Sequence, residues 1–562
     1  MSNYSVCETG VFDCNYAGIP ESEIAACAPY NEEYIDMESD YWIVIVSAFI
    51  MSVMAFGIGS NDAANSWATS VGSGAITLKT ALIMGAVFEF SGTVLLGSGV
   101  ARTIKEDISD IENADCWACG YCDSKMSLFQ AGMLASLVST AVFLMLSSFT
   151  SMPVSATHAV VGSVAGMTIG AVGVECVDWT MSGMGALISS WVISPVLAGI
   201  IAVAVYAATK KLILDTPDPR AHIIPTIPWF MTFITLVMTF LVCIKSDAIK
   251  GLGLEYQLII TGVAGVLMLI AAYVWLMPWI KRNMPSVIHN QASKVNASIG
   301  DNDFENSDDE DMDGIVMRVA SDGSLQSEER SLRRSKTNSE DSSLGSTLSG
   351  DTTGSDKSKH DPDTENGEKS KCMEITAEHV PRVYSERDDA MFCFRVLLVF
   401  NAALKSFAHG ANDTANATGP FSAVLEIHDY GLDICADDNR TSPIWIMVIA
   451  GSFVALGIVV FGHRVITTVG EKLTIIDYHS GFCIELGSAV TVVLATELGI
   501  PVSTTHCQIG AVVGAGIMTS REGDSKVHWK LIGKIAATWV LTVPFSGLLS
   551  VALTELLRPG FK

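Results

Sequence analysis

Charge is scarce in this chain, and positive charge scarcer still. Asp, Glu, Lys and Arg make up 17% of the 562 residues, with 34 bases against 60 acids. The resulting formal charge of −26 points to no partner, because the acids are spread over an amino-terminal tail, short loops and a long central loop rather than gathered on one face. No nucleic acid is expected as a partner. Residues 1–40 show neither a basic n-region nor an apolar h-region, so no cleavable secretory signal is expected and the first apolar segment is expected to act as the signal anchor. No His-Glu-x-x-His stretch occurs, so a hydrolase of that type is excluded. An intramembrane hydrolase using Asp and His is left without support, no enzymatic activity is expected, and no cofactor is expected beyond ions that pass through. Cys116-x-x-Cys119-x-x-Cys122 has no second cysteine cluster to complete a zinc or iron–sulfur site.

What the chain does have is apolar residues, 49% of the total. Many windows of about 18 residues carry few or no charges, so each is a candidate membrane helix. Twelve spanning segments are expected, near 42–60, 80–101, 127–149, 153–174, 183–208, 229–246, 256–280, 395–418, 443–462, 480–498, 500–518 and 531–557. The fold class is therefore all-α integral membrane. The domains read as a tail (1–41), a first membrane repeat with linking helices (42–280), a cytoplasmic loop (281–394) and a second membrane repeat (395–562). The excess of Lys and Arg in alternate short loops, including Lys210, Lys211, Arg464 and Lys472, places both termini outside.

Cys7, Cys14, Cys27, Cys116, Cys119, Cys122 and Cys435 lie in polar segments that this orientation puts outside, where disulfides are the better expectation. Seven is odd, leaving one thiol over. Cys176, Cys243, Cys393, Cys483 and Cys507 read as packing residues. The 283–394 loop is rich in Ser, Asp, Glu and Lys and poor in aromatics, which is the composition of a disordered linker. Its Arg330-Ser331-Leu332-Arg333-Arg334-Ser335 stretch resembles a kinase target, with a solvated charge run as the plainer reading; a kinase acting on the loop and a homo-oligomer are both left open.

Three pairs of stretches repeat in the same order. Gly59-Ser60-Asn61-Asp62-Ala63-Ala64-Asn65 recurs 351 positions on as Gly410-Ala411-Asn412-Asp413-Thr414-Ala415-Asn416. Pro153-Val154-Ser155-Ala156-Thr157-His158 recurs 348 positions on as Pro501-Val502-Ser503-Thr504-Thr505-His506. Ser190-Trp191-Val192 with Pro195 matches Thr538-Trp539-Val540 with Pro544. An odd number of spans separates the copies, so they cross the membrane in opposite directions. That is the inverted-topology repeat of secondary transporters, whose site lies near the midplane where broken or re-entrant helices meet.

The repeated stretches supply carboxylate and amide oxygens from Asn61, Asp62, Asn65, Asn412, Asp413 and Asn416, and hydroxyls from Ser155, Thr157, Ser503, Thr504 and Thr505. Gly59, Gly410, Pro153 and Pro501 are expected to break helices and free backbone groups. Oxygen clusters suit hard cations, and free N–H groups at helix starts suit anions. The stretches contain no Lys or Arg. An anion would then depend on bound cations to offset the acids, which predicts coupling of the two. The hydroxyls alternatively serve only the broken-helix backbone. Glu89 and Glu485 are further acids within spans, and neither has a carboxylate counterpart; Glu485 aligns with Leu137. Lys405 either sits shallowly or pairs with an acid.

These stretches resemble the inorganic phosphate transporter (PiT) family of sodium–phosphate symporters and phosphate permeases, whose signature is a Gly-x-Asn-Asp-x-x-Asn stretch and a Pro-x-Ser-x-Thr-His stretch in each half. Ser406-Phe407-Ala408-His409 leading into the second Asn-Asp pair, and Gly481-Phe482-Cys483-Ile484-Glu485, are close matches. The resemblance implies symport of inorganic phosphate with sodium at the plasma membrane. Asn61, Asp62, Asn412 and Asp413 would serve substrate and ions, and Ser155, Thr157, Ser503 and Thr505 would hold phosphate. Glu89 and Glu485 would match acids needed for transport. On residue chemistry, phosphate-binding candidates also include Thr504, and cation-binding or coupling candidates are Asp62, Asn65, Glu89, Asp413, Asn416 and Glu485, with sodium at the same cluster. The rivals are a proton-coupled phosphate or other oxyanion permease, and a phosphate sensor that does not transport.

Overall fold

The computed structural model describes residues 37–96, 125–180, 184–245, 249, 252–287, 316–319, 325–328, 385–430, 443–497, 502–523 and 526–561. Two compact units divide the chain, residues 1–286 with 386–562 and residues 287–385. In the smaller unit the described residues form one antiparallel hairpin, β1 (Val316–Val319) against β2 (Leu325–Glu328), with Val316 opposite Glu328 and Val319 opposite Leu325. So a short paired element lies within the stretch expected to be disordered. The linker's kinase-like stretch, the seven polar-segment cysteines and Pro501 lie outside the described residues.

The larger unit is helical. In chain order its helices are α1 (Met37–Asp62), α2 (Ala64–Gly72), α3 (Leu78–Leu96), α4 (Lys125–Phe149), α5 (Ala156–Ala171), α6 (Met184–Thr209), α7 (Pro219–Lys245), α8 (Leu254–Ala271) and α9 (Met277–Arg282). The second half follows as α10 (Glu386–Asp413), α11 (Ala415–Tyr430), α12 (Ile444–Thr467), α13 (Tyr478–Glu497), α14 (Thr504–Arg521) and α15 (Trp529–Leu557). Among the described residues ten helices, counting α1–α2 and α10–α11 as one each, are long and apolar enough to cross a membrane. The two expected segments that fall short are α5 and α14, the second arms of the hairpins α4–α5 and α13–α14. α5 has 16 residues and reaches about 24 Å at 1.5 Å per residue, short of a roughly 30 Å hydrocarbon layer.

Three boundaries differ from expectation. α10 begins at Glu386 rather than near 395. Its first turn carries Glu386, Asp388 and Asp389, polar to a hydropathy reading but suited to a helix N-terminus. The chain also stays helical past the Asn-Asp pair: α1 ends at Asp62 and α2 follows after a one-residue turn at Ala63, as α11 follows α10 after Thr414. Finally, Gly59 and Gly410 lie inside helices and break neither.

The two glycines serve close packing instead. A methyl group at Gly59 would collide with the backbone carbonyl of Val454 in α12, and one at Gly410 with that of Glu89 in α3. The partner helices answer in kind: Gly457 of α12 faces the Phe56 carbonyl in α1, and Gly92 of α3 faces the Phe407 carbonyl in α10. Each half thus lends a helix to the other. α1 packs on α12 while α10 packs on α3, and α5 packs on α15 while α14 packs on α6. The equivalent helices α3 and α12 also touch, with Gly85 near Ile458 and Gly451 near Thr93. They therefore run antiparallel, the relation that an inverted repeat requires.

Cys243, Cys393, Cys483 and Cys507 are buried free thiols. Cys176 is not a packing residue, because it is disulfide-bonded. With the seven polar-segment cysteines it makes a set of eight. The misreading arose because Cys176 borders an apolar helix, although it sits in the short turn Val174–Cys176 after α5.

Candidate substrate and ion site

The repeated stretches meet at the centre of the larger unit. Asp62 closes α1 and Asp413 closes α10, each at the break into the following helix. Ser155 caps α5 and Ser503 caps α14: each side-chain oxygen accepts from the backbone N–H three residues on, His158 at 3.2 Å and His506 at 3.3 Å. The extended Ser (φ −93° and −91°) before each helix is the geometry of an N-cap. The Pro-x-Ser-x-Thr-His stretch is therefore a helix start, and its Ser hydroxyls still have a proton to donate.

The two breaks and the two helix starts are tied crosswise. Asn65 donates from Nδ2 to Thr505 Oγ1 at 3.0 Å and Thr504 Oγ1 at 3.4 Å, and Asn416 donates from Nδ2 to Thr157 Oγ1 at 3.2 Å. These links join equivalent residues of opposite halves. Asn61 binds its own half's hairpin turn, donating to the Met152 carbonyl at 2.9 Å and accepting from Val154 N at 3.0 Å. Thr505 donates to the Val154 carbonyl at 3.0 Å, and Thr504 donates to Asp413 Oδ2 at 3.0 Å.

Three carboxylates surround one imidazole. His409 Nε2 lies 2.8 Å from Asp413 Oδ2 and 3.8 Å from Asp62 Oδ2, and its Nδ1 lies 3.2 Å from Glu89 Oε2. All four side chains are buried. Asp62, His409 and Asp413 bring one ligand atom each within 4.8 Å of one another, a spacing that suits a cation. Asp62 Oδ1, Glu89 Oε1 and Asn412 Oδ1 have no hydrogen-bond donor among the described residues. Even with the imidazole protonated, negative charge exceeds positive here. Such acceptors in a low-dielectric interior call for a cation or a proton.

The remaining expected residue, Glu485, belongs to a different cluster. Its Oε2 lies 2.9 Å from Lys405 Nζ, and its Oε1 accepts from Thr69 at 2.6 Å and Gln508 at 2.7 Å. Lys405 is thus paired with an acid rather than shallow. The repeated stretches hold no Lys or Arg, but just upstream of the second Asn-Asp stretch His409 enters the acid pocket and Lys405 serves the Glu485 cluster. His409 could have been noticed from its helical i, i+4 spacing to Asp413. Thr157, Asn412 and Thr504 keep partial exposure while their neighbours are buried, so they form the site's open edge.

Chemically, the arrangement offers two helix N-termini with hydroxyl and amide groups, suited to an oxyanion, beside an acid-rich pocket suited to cations. A sodium-dependent phosphate transporter 2 from Felis catus is 28% identical, over 92% of this chain and 98% of the relative. A putative phosphate permease from Haemophilus influenzae is also 28% identical with the same coverage, and the phosphate-repressible phosphate permease pho-4 of Neurospora crassa is 27% identical over 92% and 97%. A solved structure described as the sodium-dependent phosphate transporter shares the fold, with a TM-score of 0.65, 24% identity, and coverage of 92% of this chain and 99% of that one. The phosphate transporter family (PHO4) matches residues 58–550, and this chain, a multi-pass helical membrane protein, belongs to it.

Proposed function

We propose that the protein carries inorganic phosphate inward across the plasma membrane together with sodium, by alternating access. The observation that carries this reading is the joint site: two capped helix starts beside a pocket of three carboxylates and one imidazole, each assembled from both halves. The helix starts, with Ser155, Thr157, Ser503, Thr504, Thr505, Asn61 and Asn412, hold phosphate. Asp62, Glu89 and Asp413, with Asn65 and Asn416 bracing the hydroxyls, hold sodium. Phosphate alone would add negative charge to a pocket already in excess, so neither ligand is stable without the other. The amino terminus lies outside, which also puts disulfide-bonded Cys176 on the oxidising side.

His409 among the acids favours a second reading, in which a proton replaces sodium as the driver. Labelled-phosphate uptake into proteoliposomes, with sodium replaced by choline at two pH values, separates the two. Uptake lost in choline supports sodium. Uptake kept in choline and driven by an inward pH gradient supports the proton. Phosphate binding with no uptake under either gradient makes the protein a sensor instead.

A further inference from the structure

We propose that Lys405 is a tethered cation: its ammonium fills the counter-ion position of Glu485, so that this acid takes no free cation during transport. The proposal rests on the cation-coupled reading above and assigns Glu485 a role different from that of Glu89.

The coordination is closed. Besides Glu485, Lys405 Nζ donates to Ser488 Oγ and Gln508 Oε1, both at 2.5 Å. An ammonium has three hydrogens, and all three have acceptors. The Glu485 carboxylate in turn receives Lys405, Thr69 and Gln508, so both oxygens are engaged. Glu89 differs: the one base near it is His409, whose Nδ1 lies 3.2 Å from Oε2 and which it shares with Asp62 and Asp413, and its Oε1 has no hydrogen-bond donor among the described residues. Glu485 has an ammonium to itself, whereas Glu89 shares one imidazole with two further carboxylates, which leaves room there for a mobile ion.

The repeat shows that packing does not require the charges. α10 faces α3 and α13 with His409 and Lys405, against Glu89 and Glu485. Offset by the repeat, α1 carries Ile58 and Met54, and the facing positions hold Val454 in α12 and Leu137 in α4. Gln508 corresponds to Val160. All five apolar counterparts are fully buried, and α1 packs on α4 as α10 packs on α13. One half thus makes with hydrocarbon the contact that the other makes with ion pairs. A buried ion pair is a weak source of stability compared with such an apolar replacement. Its consequence is electrical: removing Lys405 would leave a bare carboxylate in the membrane interior.

The experiment counts sodium bound at saturation to purified, phosphate-loaded protein by equilibrium binding of radioactive sodium, for the parent, K405M, K405M/E485L, K405R and E485Q. K405M exposes the Glu485 charge and is expected to bind about one more ion per chain. K405M/E485L, which copies the apolar contact of the first half, returns the count to that of the parent, and K405R keeps it there. E485Q is expected to leave the count unchanged. A drop of about one ion in E485Q overturns the proposal, since Glu485 would then be a ligand of free sodium. So does an unchanged count in K405M that still unfolds cooperatively; if K405M does not fold, E485Q decides alone. A parent that binds no sodium sinks the sodium reading rather than this one. In that event the same variants are compared by charge moved per phosphate in proteoliposomes, where K405M should exceed the parent by about one charge.

Discussion

Asp62 and Asp413 occupy equivalent positions but have different surroundings. Asp413 Oδ2 receives the Thr504 hydroxyl at 3.0 Å and faces His409 at 2.8 Å, whereas Asp62 Oδ1 has no donor among the described residues. Asparagine in either place keeps the shape and removes the charge. D62N and D413N should each lower phosphate uptake to below about one hundredth of the parent, the scale on which a preorganised electrostatic partner acts, with normal amounts of protein in the membrane. Uptake per surface-labelled molecule measures this, and near-parent values in both variants would sink the proposed site. The Thr505 hydroxyl joins the two halves: it donates to the Val154 carbonyl and accepts from Asn65. Thr505→Val should cost about 1–3 kcal/mol for the buried groups left unpaired, read as a lower detergent melting temperature. The Asn, Asp and Ser residues, with Thr157 and Thr505, were legible in the chain because each recurs in the other half; Thr504, opposite Ala156, was legible only by its place in the stretch. Lys405 and His409 were visible but could not be given partners, because their counterparts, Met54 and Ile58, are apolar and folding alone brings the acids to them.

At the scale of elements, the apolar runs revealed the helices but not their ends. A run shows where hydrocarbon can surround a segment; it does not show where a backbone bond is lost. Gly59 and Gly410 were expected to mark the breaks, yet the breaks fall at Ala63 and Thr414. Thr414 is held from outside its helix: the Thr93 hydroxyl lies 2.8 Å from Thr414 Oγ1 and donates to the Gly410 carbonyl at 2.9 Å. A break fixed by a neighbouring helix leaves no local signature. The glycines matter where α1 meets α12 and α10 meets α3, since backbone carbonyls occupy the space of a Cβ. Gly59→Ala and Gly410→Ala should therefore each destabilise the protein by about 1–3 kcal/mol through overpacking. Gly410→Ala should also impair uptake in the molecules that remain folded, because it pushes on the Glu89 backbone. Thermal unfolding in detergent, with uptake per folded molecule, checks both; unchanged melting in both would mean that the helices are not in close contact.

The two halves do not form separate bodies. α1 packs on α12, α10 on α3, α5 on α15 and α14 on α6, and Asn65 and Asn416 bind hydroxyls of the opposite half. Each half leaves the faces of α1, α3 and α5, or of α10, α12 and α14, to be covered by the other, so neither should persist alone. The chain between Val287 and Ser385 belongs to the other compact unit; a cut there severs no helix of the larger one. Residues 1–300 and 380–562, expressed separately, should each be scarce in the membrane. Expressed together, they should recover phosphate uptake, because the exchanged helices can find each other as they do in one chain. Uptake by either fragment alone would mean that one half builds a complete site and that the crosswise bonds are incidental. Failure of the pair, with both fragments abundant, would mean that the 287–385 unit does more than connect. Co-expression with membrane quantities and uptake measured on the same cells decides among these, and the first outcome is the one that the exchange of helices demands.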